Sequence, residues 1–391
     1  MNSRVTMAVV AQKAGVHPTT VSLALRNHPS LPISTRKRLQ LLAAQMGFRR
    51  DPALSALVAY RRHTRPVKGT PLLAYVTHWD SRWGWKDHPA HKAFFDGATM
   101  KASPLGYQLE HFWLGEPGLT HRRLSRILYS RGITGLIIAS HQREHDAPLD
   151  FEWDKFSAVK IDFSPRQQLL HIITNDQRTI IGLAMQRVML AGYRRIGFVM
   201  PHWWDEFADL AWSAGFLAKQ QQIEPLDRIP ILYFSAPLRP DRLQTSDPDY
   251  VVPRDIFSQW LRTYRPEVLL SFGPFVKARF AELGISVPKD LAYVEIFLEN
   301  PDGSIAGVHQ NCHRVGELAV EILAGQLHQN IYGIPAISTA TLVEGTWFDG
   351  ESLPVRQPTA ATAGAVSPEG TAPSHKPARF PRRIQSQRTK A

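Results

Sequence analysis

Two textures of apolar and polar spacing divide the chain. Over the first sixty positions the apolar residues recur with a helical period. Met7, Val10, Ala11 and Ala14 fall at i, i+3, i+4 and i+7, which predicts one inward helix face, and Thr6 offers a hydroxyl to cap its start. Gly15-Val16 breaks that pattern. Pro18 suits the first turn of a second helix, because its missing N–H costs nothing there. Val21, Ala24 and Leu25 then repeat the i, i+3, i+4 face until Asn27-His28-Pro29 ends it. Ser34 is expected to cap a third helix whose Leu39, Leu42, Ala43 and Met46 face inward and whose run ends at Gly47. A fourth, Ala/Leu-rich pattern covers 52–60, followed by a basic stretch, 61–69.

From Leu72 the period changes. Short aliphatic and aromatic runs at 72–77, 107–113, 135–139, 158–161, 196–200, 229–234, 268–272 and 291–297 read as strands. Helical stretches are expected at 90–104, 119–131, 178–191, 208–222 and 254–264. Strands alternating with helices argue for parallel sheets joined by crossover helices. So long an alternation is too much for one ordinary sheet, so two α/β lobes are expected. Residues 352–391 lack periodicity and hold six prolines with scattered Arg, which reads as a disordered basic tail. No internal sequence repeat is evident.

Charge sharpens this division. The 391 residues carry a net charge of +12. Residues 1–68 contain twelve basic residues against one acid, Asp51, and residues 352–391 contain seven against Glu369. The body between them is therefore mildly acidic. A basic head on a neutral-to-acidic body points to a polyanion partner for the head. The single cysteine, Cys312, excludes a disulfide framework and reads as a small buried hydrophobe. No apolar run approaches the roughly 18 residues of a membrane span, and Met1 to Ala14 shows no secretory pattern. A cytoplasmic protein is expected.

The segment from Val5 to Leu25 carries the strongest functional signal. Two short helices joined by a tight Gly turn form a helix-turn-helix pattern, whose second helix fits the major groove. Thr19, Thr20 and Ser22 can donate to bases or phosphates. Leu23 and the Thr19 methyl can meet a thymine methyl. Arg26, Arg36, Lys37 and Arg38 supply phosphate charge.

Here the sequence resembles the lactose-repressor (LacI/GalR) family of transcription regulators. The likeness rests on V-A-x-x-A-G-V (Val10 to Val16), T-V-S (Thr20 to Ser22), S-T-R-x-R-L (Ser34 to Leu39), Gly47-Phe48 and the segment 51–60. It continues through Asn175-Asp176 with Gly182, Gly192 to Gly197, Gly284 to Pro288, and Val308 to Asn311 with Gly316. The resemblance implies a helix-turn-helix head with hinge helix (1–60), a linker (61–71) and a two-lobed, periplasmic-binding-protein-like body (72–351). Lobe 1 would comprise about 72–175 with 306–335, and lobe 2 about 176–305 with 336–351. It also implies a homodimer on a near-palindromic operator. The DNA contacts carried over are Thr6, Pro18, Thr19, Thr20, Ser22, Leu23, Arg26, Asn27, Leu54 and Leu57, with Leu57 wedged into the minor groove. His17 stands where the family has Ser or a similar cap.

The family closes its lobes on a small molecule, commonly a sugar or a purine. The expected arginine is Trp212 here, the Asp pair is replaced by Phe297 and Leu298, and the loop after 268–272 reads Phe272-Gly273-Pro274. The sugar-clamping groups are thus mostly replaced. The candidate effector set is Trp79, Trp203, Trp212, Phe272, Phe297, Gln310 and Asn311, and other tryptophans (Trp83, Trp85, Trp204) lie in the same regions. Two readings stay open: an aromatic-walled pocket for an unusual ligand, or a cleft filled by side chains in a ligand-independent regulator. A transporter's solute-binding protein is a further alternative, against which residues 1–60 argue. His88 and His91 have metal-like spacing but read as structural, and Asp205-Glu206 reads as ordinary surface. No phosphate-loop, serine-hydrolase or zincin motif occurs, so neither an enzyme nor a cofactor is expected.

Overall fold

The computed structural model describes residues 5–25, 30–48, 70–142, 145–235 and 251–356. Arg26, Asn27, Leu54, Leu57 and nearly all of the expected linker and tail lie outside them. The chain divides into two units, Met1–Val355 and Arg356–Ala391.

The head has three helices, α1 (Met7–Ala14), α2 (Pro18–Leu25) and α3 (Ile33–Gln45). Val10, Ala11, Val21, Leu39 and Ala43 are buried between them, as the spacing predicts, but Met7 is 36% exposed. The Thr6 hydroxyl accepts from the Val9 N–H, and Gly15 closes α1 at φ 66°, where a side chain would be strained. Ser34 does not cap α3. The helix begins at Ile33, so Ser34 is already inside its first turn, and Pro32 at the cap has no side chain to offer.

The body consists of two six-stranded sheets. Sheet one holds β1 (Leu72–His78), β2 (Gln108–Trp113), β3 (Gly135–His141), β4 (Ser157–Ile161), β5 (His171–Asn175) and β11 (Ala340–Val343), in the order β11-β5-β4-β3-β1-β2. Sheet two holds β6 (Ile196–Pro201), β7 (Leu232–Phe234), β8 (Val268–Ser271), β9 (Ala292–Glu295), β10 (Ala306–His309) and β12 (Thr346–Phe348), in the order β12-β10-β9-β8-β6-β7. Every recorded pairing is parallel except β10 with β12. The two lobes thus repeat one strand order, although no sequence repeat announces it. Both sheets are covered on two faces, which is why strands such as GLIIASH (135–141) are buried throughout.

Helices in lobe 1 are α4 (Pro89–Ala102) and α5 (His121–Ser130). Lobe 2 has α6 (Gln177–Leu190), α7 (His202–Phe207), α8 (Ala211–Gln220), α9 (Arg254–Tyr264) and α10 (Gly273–Leu283). The chain then returns to lobe 1 for α11 (Cys312–Gln329), which packs on α4. Gly97 and Gly316 permit that packing. A Cβ on Gly316 would strike the Phe94 carbonyl, and one on Gly97 the His313 carbonyl.

Three expectations are corrected. The lobe boundaries shift: 306–309 forms β10 of sheet two, and 340–343 forms β11 of sheet one. The chain therefore crosses between lobes after β5, after β10 and after β11. The stretch 208–222 is not one helix. Asp209 and Leu210 sit at φ 55° and 61° and separate α7 from α8. The body also extends past 351: Ser352 is 2% exposed, donates to the Tyr293 carbonyl at 2.6 Å and accepts from the Ala306 N–H at 2.9 Å.

Candidate functional site

Two places can carry chemistry: the exposed start of α2 and the cleft between the lobes. In the head, His17 takes over the capping role. Its Nδ1 accepts from the Thr19 N–H at 3.3 Å and lies 3.0 Å from Thr19 Oγ1. A ring nitrogen thus satisfies an orphan donor of α2 and holds the Thr19 side chain. At the other end of α2, Gln40 of α3 donates to the Ala24 carbonyl at 2.8 Å. Pro18 and Thr19 are exposed, as is Thr6, whereas Thr20, Ser22 and Leu23 are half-buried. The helix is therefore anchored at both ends with its first residues outward.

In the body, the cleft forms where the strands end. In each sheet the strand order reverses at one point, between β1 and β3 in lobe 1 and between β6 and β8 in lobe 2. Ligand crevices open at such points, beyond the carboxyl ends of the strands. Trp79 follows β1, and His141 and Gln142 end or follow β3. Across the cleft Trp203 and Trp204 follow β6, and Phe272 follows β8. Asp162, Asn175, Phe297 and Gln310 complete the ring from the ends of β4, β5, β9 and β10. These residues line a partly open cavity of about 140 Å³, with His88, His91 and Phe94 of lobe 1 and Phe207, Trp212 and Phe275 of lobe 2 also on its wall.

The aromatic wall of lobe 2 is continuous. Trp204 lies 5.5 Å from Trp212, 5.5 Å from Phe272 and 5.0 Å from Phe275, and Phe272 lies 5.5 Å from Phe297. Buried polar groups hold this wall. Asp205, far from being ordinary surface, is fully buried: it accepts from the Ser213 N–H at 3.1 Å and the Tyr233 hydroxyl at 2.6 Å. It thereby caps α8 across the break after α7. Glu295 accepts from the Gly273 N–H at 2.9 and 3.0 Å and from the Tyr293 hydroxyl at 3.0 Å, so it caps α10. Burial pushes its carboxyl up to about 7, against the opposing charge of Lys277.

The wall of lobe 1 is richer in histidine. Burial, with His88 adding to it, pushes the His91 imidazole down to about 3. Burial likewise takes His141 to about 3, although its Nδ1–H donates to the Ala139 carbonyl at 3.0 Å. His141 is therefore neutral at pH 7, with the proton on Nδ1 and a lone pair on Nε2. Burial raises the Asp162 carboxyl to about 6, while the Thr174 hydroxyl, donating at 3.1 Å, opposes the shift. His88 and His91 are cleft residues, and no group of three or more His, Cys, Asp or Glu side chains placed to hold a metal occurs among the described residues.

Six of the seven effector candidates meet at the cavity: Trp79, Trp203, Trp212, Phe272, Phe297 and Gln310. Asn311 does not. Its amide donates to the Glu344 carbonyl at 2.8 Å and to Thr346 Oγ1 at 3.0 Å. That ties the second interlobe crossing to the third, just as Asn175 ties the first to the second by donating to the Gln310 carbonyl. Trp83 is exposed and Trp85 is buried in lobe 1, and neither lines the cavity. Sequence reasoning missed His141, Gln142 and Asp162, although each sits at the end of a strand it had placed.

Comparison with solved structures decides the fold. The chain superposes on the transcriptional regulator CelR in complex with cellobiose, with a TM-score of 0.52 at 17% identity, covering 89% of this chain and all of that one. It is similar to the Lac repressor dimer bound to operator and an anti-inducer (TM-score 0.50, 16% identity, 90% of this chain and all of that one). A LacI-family putative transcriptional regulator from Rhizobium etli matches with a TM-score of 0.55 at 14% identity, over 73% of this chain and all of that one. The fold is that of the LacI-type regulators. No protein-family model matches the sequence, and no curated protein matches it by sequence. Within the LacI-type fold, the cavity described above lies between the lobes.

Proposed function

We propose that this chain is a sequence-specific DNA-binding transcriptional regulator of the LacI/GalR family, a cytoplasmic repressor. It binds a near-palindromic operator as a homodimer and is gated by a small molecule in the interlobe cleft. One observation carries the reading. The same chain has a helix-turn-helix head with Pro18 and Thr19 exposed at the start of α2, and a body whose cavity joins the switch points of both lobes. A ligand that favours one lobe closure shifts the population of that state, and operator affinity changes by the difference in its binding to the two states. The remaining cavity volume favours gating over a filled, ligand-independent cleft.

The test is fluorescence anisotropy of the full-length protein on its own upstream DNA. Thr19→Ala is expected to weaken specific binding while leaving non-specific binding in place. Leu57→Ala is expected to weaken it through the lost minor-groove wedge. If Leu57→Ala binds as tightly as the parent, the wedge is removed from the account. If no inverted repeat is bound at all, the reading fails.

A further inference from the structure

We infer that the cleft takes an uncharged, single-ring aromatic ligand bearing one amide- or hydroxyl-like group, rather than a polyol or an anion. The inference deepens the proposed function and rests on its gated cleft. Size is the first argument. A cavity of about 140 Å³ matches one six-membered ring, since a dry engineered cavity of roughly 150 Å³ accommodates benzene.

Charge is the second argument. No lysine or arginine is among the described residues lining the cavity, and Asp162 is its one acidic side chain. A carboxylate or phosphate entering there would lose its hydration without gaining a counter-charge.

The polar inventory is the third. A pyranose presents several hydroxyls and needs many partners, but several of the groups that could serve are already engaged. Asn175 donates to the Gln310 carbonyl and faces Cys312 Sγ at 3.5 Å. Gln310 donates to the Ile296 carbonyl at 3.0 Å. Asp162 Oδ1 accepts from Thr174.

A small set of polar atoms on the wall is buried and unpaired. Trp79 Nε1, Trp203 Nε1, His141 Nε2 and both amide atoms of Gln142 are buried without a hydrogen-bond partner. Trp79, His141 and Gln142 are each 3% exposed. Unpaired buried polar groups are costly, so a native site holding several of them is built to receive their partners from a ligand. These atoms are buried in the unliganded cleft, so their side chains turn on binding; the indoles and the Gln142 amide can then donate to a ligand oxygen. His141 Nε2 and Gln142 Oε1 can accept from a ligand N–H or O–H. One polar group on a flat ring serves both, and the ring packs against the Trp204–Trp212–Phe272 wall.

Benzamide and benzoate are nearly isosteric and differ in charge, so they form the central pair of the test. Titration calorimetry on the full-length protein uses benzamide, benzoate, glucose and glucose 6-phosphate. Benzamide is expected to bind, with benzoate and both sugars at least about tenfold weaker. Trp203→Phe keeps the ring and removes the N–H, and Gln142→Leu removes the amide. Each is expected to weaken benzamide about three- to tenfold without lowering the unliganded melting temperature. Benzoate binding as well as benzamide, either sugar binding better, or none of the four binding overturns the ligand class. A sugar that binds and shifts operator affinity leaves the gated regulator standing. Benzamide that binds without altering operator affinity leaves the ligand class standing and removes the gating.

Discussion

Replacing Gly316 by alanine tests whether the α4–α11 contact is set by backbone against backbone. Helix propensity alone favours the change by about 1 kcal/mol. The contact opposes it, because the new Cβ would strike the Phe94 carbonyl and crowd the Ala98 N–H at 2.7 Å. Neither is the far end of a flexible side chain, so the helices must move apart. Overpacking of this kind costs about 1–3 kcal/mol, and rigid backbone on both sides places it at or above the upper end. The expected net loss is about 2 kcal/mol, or about 4 °C in melting temperature. Gly325→Ala is the control. It lies on the same helix, where a Cβ meets nothing within 4 Å, so propensity should prevail and the variant should gain up to about 1 kcal/mol. Urea unfolding of both variants reads the difference, and the two substitutions should have opposite signs. Equal effects, or a Gly316→Ala variant as stable as its parent, would refute the argument. Because Phe94 also lines the cavity, the Gly316 variant should bind cleft ligands more weakly.

Other outcomes follow from particular groups. His17→Ala should destabilise the head by about 1 kcal/mol through the lost cap on α2, and His17→Ser should restore most of it; amide exchange over residues 17–25 reads both. Asp205→Ala leaves the Tyr233 hydroxyl and Ser213 N–H without their acceptor, and should cost about 2–4 kcal/mol in urea unfolding. His141 is held near 3, so from pH 6.5 down to 3 the unfolded chain binds a proton that the native state does not. Stability therefore falls with pH across that window, by up to about 1.4 kcal/mol per unit from this one ring. His141→Gln should make the slope shallower, whereas Asp162→Asn should make it steeper, because Asp162, raised to about 6, gains a proton on the native side between pH 6 and 4. Truncation after Arg356 keeps the Ser352 clasp and removes six basic residues with Glu369. It should reduce the salt slope of DNA binding without lowering the melting temperature.

The head and the alternation of strands and helices were legible because they are local. Val10, Ala11, Val21 and Leu39 are buried where the period of 3.6 puts them, and strands buried on both faces appear as apolar runs. Two of the strands that escaped are short or interrupted. β10 contains Gly307, whose missing Cβ lets it lie against the Glu295 backbone, and β12 spans three residues. Such strands exist because a neighbouring strand pairs with them, and no local pattern records the neighbour. The break between α7 and α8 rests on Asp205 reaching across to Ser213, which is likewise a contact rather than a propensity.

For the site, sequence position alone marked a set of tryptophans and phenylalanines, and five of them do meet, together with Gln310. It could not separate Gln310 from Asn311, which are adjacent in the chain. One faces the cavity and the other stitches two interlobe crossings, because the backbone at Asn311 turns through φ 57° before α11. Nor could it show that His141, Gln142 and Asp162 oppose Trp203 across the cleft. By itself the sequence determined the helices of the head, the charge of the ends and the two-lobed plan, since each follows from the period and composition of contiguous residues. Only the tertiary structure decided which lobe each late strand joins and which polar atoms stay without partners, since both depend on what distant segments bring alongside.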